Sequence, residues 1–285
     1  MSKKIAIISD IHGNYTALNA VYNDSQKIEV DDYWFLGDLF SPGPGAMNLW
    51  TLFKKMNPSI CVRGNWDDLL IKGIEGKTDI SRMSQIYIGK LAQNLSQYLT
   101  KEVIDEMKSW KICTDIQVQK TRFGLGHNLP EKNFGQKLYP TAEQKNFDIP
   151  FNTFKKCDVY IYGHVHHPIM RYSDDERMIF NPGSVGQPFF KWNKFQEEML
   201  AEYLVLEIDE DGIKSSDFRK VFYDLREEYQ RAINFELPYL ELYKLQMETG
   251  KVHTHDKKLL KKYNEIYGYE KQVKEYIKNT LKKEC

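Results

Sequence analysis

The first third of the chain alternates short apolar runs with helical patterns. "KIAIIS" is a β-branched run that stops at Asp10 and reads as a buried strand. Tyr15, Leu18, Val21 and Tyr22 then recur at helical spacing across residues 14–24. "YWFLGD" predicts a second buried strand, and Met47, Trp50, Leu52 and Phe53 predict a helix over 46–56. "SICVRGN" predicts a third strand. Residues 80–110 predict a longer helical region divided near Thr100, a candidate N-cap. After Trp110 the period shortens. "ICTDIQVQ" and "RFGLGH" read as a hairpin and "DVYIYGH" as another buried strand. "PIMRYS", "RMIFNPGS", "LAEYLVLEID" and "GIKSSDFRKV" follow as consecutive, mostly antiparallel strands. From residue 224 the chain reads as helical and polar. The expected organisation is a domain over 1–223 and a helical, Lys-rich extension over 224–285.

Five strands of this α/β (α+β) pattern end in polar residues beside glycine. Open α/β sheets place their ligands at such strand ends. The fragments are "DIH" (Asp10, His12), "GDLFSPG" (Asp38), "GNWD" (Asn65), "GH" (His127) and "GHVH" (His164, His166). Together they offer two Asp, one Asn and four His. Mixed imidazole and carboxylate donors suit Mn, Fe, Zn or Co, and seven are too many for one ion and about right for two that share a bridge. Any one fragment alone reads as a turn, a cap or a packed histidine. The ordered series of five is what carries the metal reading.

The series resembles the calcineurin-like metallophosphoesterases, whose signature runs DxH, GDxxxxG, GNxD, GH and GHxH. It is matched by Asp10 to His12, Gly37 to Gly43, Gly64 to Asp67, Gly126-His127 and Gly163 to His166, with "NPGS" at 181–184. The resemblance spans about residues 4–220 and implies a four-layer αββα sandwich with a two-metal site on one edge. It implies Asp10, His12, Asp38 and His166 around one ion and Asp38, Asn65, His127 and His164 around the other, with Asp38 bridging. It implies attack on phosphorus by a hydroxide held between the ions, with Mn and Fe as the expected pair. Asp67 is expected to orient a ligand imidazole. The "GNWD" form is similar to bacterial hydrolases of diadenosine polyphosphates that also cleave activated phosphodiesters.

Most family members carry a histidine where Trp66 stands. An indole N–H donates a hydrogen bond but is no general acid. The expected substrates are therefore those with stable leaving anions, dinucleoside polyphosphates and ATP among them, and Trp66 can donate to a phosphate or stack on a base. The alternative is that Trp66 only packs under its loop. Arg63 either reaches a phosphate or pairs at the surface. A phosphoprotein phosphatase or cyclic-nucleotide phosphodiesterase, and a non-catalytic scaffold of the same fold, are the competing functions.

The remaining signals are weaker. "DLFSPGPG" reads as a rigid turn, and His167 as a spare solvated histidine. The 127–140 segment is expected to help form a nucleotide pocket. His253 and His255, at i and i+2 of "VHTHD", would point apart on a helix and so offer no metal site. Lys plus Arg and Asp plus Glu both number 40, so net charge gives no pull toward nucleic acid or anionic membrane. Residues 251–285 nonetheless hold ten Lys against five Asp or Glu. That tail reads as a solvated helix packing one face on the core, or as a partner, dimer or anionic-surface contact. Cys61, Cys113, Cys157 and Cys285 form no CxxC pair and read as reduced thiols. No run approaches spanning length or a signal peptide, and a cytoplasmic location is expected.

Overall fold

The computed structural model describes residues 2–196 and 199–283, the side chain of Lys283 excepted; Cys285 lies outside them. In chain order the elements are β1 (Lys3–Ile8), α1 (Tyr15–Lys27), β2 (Asp32–Phe35), α2 (Met47–Met56), β3 (Ile60–Cys61), α3 (Asn65–Ile74), α4 (Met83–Leu95) and α5 (Lys101–Ser109). Then come β4 (Cys113–Val118), β5 (Thr121–Gly126), α6 (Ile149–Thr153), β6 (Val159–Tyr162), β7 (Pro168–Tyr172), β8 (Met178–Pro182), α7 (Asn193–Gln196), β9 (Ala201–Asp209) and β10 (Gly212–Val221). The chain finishes with α8 (Leu225–Asn234), α9 (Leu240–Thr249), α10 (Lys257–Tyr267) and α11 (Tyr269–Lys283).

Two five-stranded sheets stack face to face, ordered β10-β9-β1-β2-β3 and β4-β5-β6-β8-β7. Strand periodicity accounts for the layering. Ile5 and Ile7 of β1 point inward, where Trp34, Leu36 and Val62 meet Phe123, Leu125, Val159, Ile161 and Phe180 of the other sheet. Ala6 and Ile8 point the other way, toward Leu18, Val21, Leu49 and Phe53 of α1 and α2. Tyr160, Tyr162 and Ile179 cover the far face of the second sheet against Phe147 and Phe151. The result is the αββα sandwich, with β1 and β2 parallel and β4 and β5 the expected hairpin.

As expected, β7 pairs antiparallel with β8 and β9 with β10, but the two pairs lie in different sheets. β8 pairs parallel with β6, whereas β9 crosses to the first sheet and pairs antiparallel with β1. Ile5, Ile7, Leu204, Leu206 and Ile208 are all fully buried, so β1 is covered on both edges and both faces.

The segment after residue 224 packs back on the sandwich. Glu228 of α8 is fully buried, and its carboxylate accepts from Thr16 N–H (3.0 Å), Thr16 Oγ1 (2.6 Å) and Tyr243 Oη (3.2 Å). Burial pushes its pKa up even so. α10 and α11 both lie against α4, where Leu260 and Val273 are buried. Among the described residues no helix is long and apolar enough to cross a membrane.

Glu228→Ala would leave the Thr16 and Tyr243 donors buried and unpaired, a loss of about 2–3 kcal/mol. In a chain of this size that lowers Tm by roughly 5 °C or more. Calorimetry that finds Tm unchanged would show that this contact does not fasten the extension to α1.

Candidate metal centre

The strand ends of both sheets meet at one edge. The β1–β2 ladder continues into the loops through Asp10 N–H to Gly37 O (2.9 Å), His12 N–H to Asp38 O (3.0 Å) and Gly13 N–H to Leu39 O (2.9 Å). The two loops therefore leave side by side. The third loop closes on them because position 64 has no side chain. A Cβ there would lie 2.0 Å from Asp38 Oδ1. Gly163 plays the same part in the second sheet, where a Cβ would lie 2.0 Å from Ser9 Oγ.

Asp10, His12 and His166 form one group of converging donors, and Asp10, Asp38 and His127 a second. Asp10 Oδ1 is fully buried and receives no well-aligned hydrogen bond. It faces Nε2 of His166 at 3.1 Å, His12 at 3.7 Å and His127 at 3.9 Å. Asp38 Oδ2 lies 3.3 Å from His127 Nε2 and 3.8 Å from His12 Nε2. One terminal atom of the Asn65 amide is 3.1 Å from His127 Nε2 and 2.8 Å from His164 Nδ1. All seven expected residues are thus brought to one place.

Main-chain partners orient the rings. Nδ1 donates to Ser41 O from His12 (2.7 Å), to Leu36 O from His127 (2.6 Å) and to Gln187 O from His166 (2.5 Å). Each Nε2 is left pointing at the carboxylates, as an ion requires. His164 differs. Its Nε2 accepts from Gly135 N–H at 3.1 Å, which puts the ring hydrogen on Nδ1. Ligation through Nδ1 requires that hydrogen to move and the Gly135 contact to be released.

Positive charge is demanded here. Burial acts to raise the Asp10 and Asp38 carboxyls, yet the neighbouring imidazoles, His166 and His127 foremost for Asp10 and His127 for Asp38, hold both below the usual range. Burial opposes protonation of His127, but Asp38 and Asp10 push it up to about 10. Burial and His127 bring His164 down to about 4. The orphaned Asp10 oxygen, the buried carboxylate pair and the ring nitrogens converging on them fit a pair of borderline transition-metal ions, which would take the place of the protons those rings hold.

The profile of the calcineurin-like phosphoesterase superfamily domain matches residues 4–211. The chain belongs to the calcineurin-like phosphoesterase superfamily. An uncharacterized protein from Methanocaldococcus jannaschii is 27% identical over 250 residues, 82% of this chain and 93% of that one. Among solved structures, a metallophosphoesterase from Sphaerobacter thermophilus matches 87% of this chain and 100% of its own at TM-score 0.67 and 24% identity. A hypothetical protein from Pyrococcus horikoshii OT3 matches 87% and 99% at TM-score 0.70 and 17% identity. These two share the fold.

Beside the metal set of this phosphoesterase lies a cleft of about 300 Å³, lined by residues that include His12, Asn65, Trp66, Tyr139, His166 and His255. Trp66 both packs against a neighbour and lines the cleft. Its ring packs edge-on against Tyr87 at 6.5 Å and stands 5.7 Å from His12, with one side facing the cleft. Among the described residues no acceptor reaches its indole N–H. The 127–140 segment supplies Gly135, Gln136 and Tyr139 to the cleft wall.

Several expectations need correction. The Asp67 carboxylate touches no imidazole. It accepts from the N–H groups of Gly64 (2.8 Å), Asp38 (2.9 Å) and Leu39 (3.0 Å) and so fixes the loop that carries Asp38. Burial and Asp38 raise its pKa to about 7. Arg63 does not face the cleft. Its guanidinium lies 2.8 Å from Asp68 and donates to Lys108 O (2.7 Å) and Trp110 O (3.1 Å). His167 is half-buried among Tyr139, Phe189 and Phe190 rather than solvated. "VHTHD" is not helical: it lies in the turn between α9 and α10, and His255 reaches the cleft. The sequence signal for that turn was Gly250 ahead of the two histidines, followed by Asp256 as an N-cap.

Because His127 holds a proton far above neutrality in the metal-free site, ion binding must release it. Manganese affinity is expected to rise from pH 6 to pH 8, with proton release detected by calorimetry in buffers of different ionisation enthalpy. A pH-independent affinity would contradict this. Asp10→Asn should lose most bound metal by elemental analysis.

Proposed function

We propose that this phosphoesterase hydrolyses phosphoanhydrides and activated phosphodiesters, with dinucleoside polyphosphates and ATP favoured over alkyl phosphate esters. The observation that supports this most directly is Trp66 on the cleft wall beside His12, its indole N–H without an acceptor among the described residues and unable to act as an acid. Two ions, Mn with Fe as the proposed pair, would supply an activated water and positive charge for the phosphate when bound. Asp10, His12, Asp38 and His166 would hold one, and Asp38, Asn65, His127 and His164 the other.

The chain's own part is to orient and to bind. Asp67 pins the Asp38 loop, and the Trp66 backbone N–H donates to Asp38 Oδ1 at 2.8 Å, which fixes that carboxylate. The indole N–H would donate to a phosphate oxygen, and the ring face would accept an aromatic base. The leaving oxygen would receive no proton from position 66. An alkoxide needs one in the transition state, whereas a nucleotide phosphate or nitrophenolate departs as a stable anion. The scaffold reading is disfavoured by a donor set with no member missing.

Manganese-loaded protein should convert diadenosine tetraphosphate to AMP and ATP and cleave bis-nitrophenyl phosphate, while leaving a phosphoserine peptide nearly untouched. Trp66→His should raise phosphoserine hydrolysis relative to anhydride hydrolysis by on the order of 10²-fold, the scale of one general acid. Brisk phosphoserine hydrolysis by the wild type, with the dinucleotide intact, would replace this reading with that of a phosphatase.

A further inference from the structure

The cleft has a wall that the superfamily match does not reach. Val252, Thr254 and His255 lie beyond residues 4–211, yet they line the same cavity as His12, Trp66 and His166. They belong to a short strap over 250–256, fastened at both ends by helix termini. Gly250 ends α9 in the left-handed conformation (φ 64°) with its N–H on Gln246 O at 2.8 Å. Asp256 starts α10, its side chain accepting from Leu259 N–H at 3.0 Å. Asp256 N–H also donates to His253 O at 3.0 Å, which closes the turn that presents His255. The strap is therefore shaped before any ligand arrives.

The histidines of this cleft are not equivalent. Nδ1 of His12 and of His166 is committed to a carbonyl, Nε2 of His164 to Gly135 N–H, and their remaining nitrogens face the metal set. His255 makes no hydrogen bond, ion pair or ring contact among the described residues. Whatever its protonation, an imidazole presents at least one N–H donor.

Size supplies the rest. About 300 Å³ is at the lower end of ligand pockets. It suits one nucleoside phosphate group held at the metal set and is too small to enclose a dinucleotide. The remainder of a polyphosphate chain must leave across the rim, where the strap stands. We infer that His255 is a specificity-determining residue that donates a hydrogen bond to a non-reacting phosphate of a polyphosphate substrate. This rests on the dinucleoside polyphosphate reading above and names the contact by which an anhydride chain is told from a simple diester.

Steady-state kinetics on the full-length, manganese-loaded protein test it. Diadenosine tetraphosphate and bis-nitrophenyl phosphate are compared for wild type, His255→Leu and His255→Gln. One hydrogen bond to a charged phosphate at a partly exposed rim corresponds to about tenfold in KM. His255→Leu should raise KM for the tetraphosphate by about that factor, leave its kcat in place, and leave the diester unaffected. His255→Gln, which keeps a donor, should recover most of the loss. Unchanged tetraphosphate kinetics in His255→Leu, or equal losses on both substrates, would overturn the inference alone. A wild type that cleaves the diester but not the tetraphosphate would overturn the dinucleotide reading and this inference with it.

Discussion

The Asp10 carboxylate is the point at which the two sheets are tied. Oδ2 accepts from Ser9 Oγ (2.6 Å) and from the main-chain N–H of His164 (2.9 Å), which joins the end of β1 to the loop after β6. The Asp10 carbonyl accepts from Gly186 N–H (3.0 Å) and Ser184 Oγ (2.8 Å), which joins the same point to the loop after β8. Only Oδ1 is left over, and it faces three ring nitrogens. A fully buried anion is tolerated only where donors and cations surround it, so the placement of both strand-end loops follows from satisfying this one group.

The loops accept unfavourable backbone geometry to reach it. Asp10, His12, Asp38, His164 and His166 are all left-handed, with φ between 51° and 67°. Each such residue costs on the order of 1 kcal/mol or more. The cost is spread over main-chain hydrogen bonds that continue the ladder and over the three N–H groups gathered by Asp67. Asp67 therefore matters to the site without pointing at any ligand ring, since it holds the Asp38 turn in its strained form. The strain turns side chains that would alternate across a strand toward one common point.

The convergence of the seven expected residues could be read from the sequence because each combines a special residue type with a strand end and a glycine, and those are local properties. The first strands and helices were legible for the same reason, and so was the division of residues 80–110 at Thr100. The sheet assignment of β9 was not. Its apolar period is that of any buried strand, and nothing within it says that its neighbour is β1, about 200 residues earlier. Arg63 and Asp67 were legible as residues near the site but not in their roles, because a charged side chain beside a signature loop has several partners within reach and only the folded geometry chooses. His255 was missed because its meaning depends on where α9 stops. A single glycine ends that helix and turns the two histidines out of the period in which they would have pointed apart.

The place of β9 between β10 and β1 also bears on how the protein is made. β1 leaves the ribosome well ahead of β9, the strand that covers its second edge, which follows about 200 residues behind it. At ordinary translation speeds that interval is on the order of 10–40 s. Through it a nascent edge of Ile5 and Ile7 stands open to foreign strands. Asp10 meanwhile waits for His164, His166 and Ser184. Assembly of the centre therefore waits for the second sheet: a stall before residue 164 leaves an open edge and an incomplete set of donors, whereas one between residues 167 and 200 leaves every donor made but the edge uncovered.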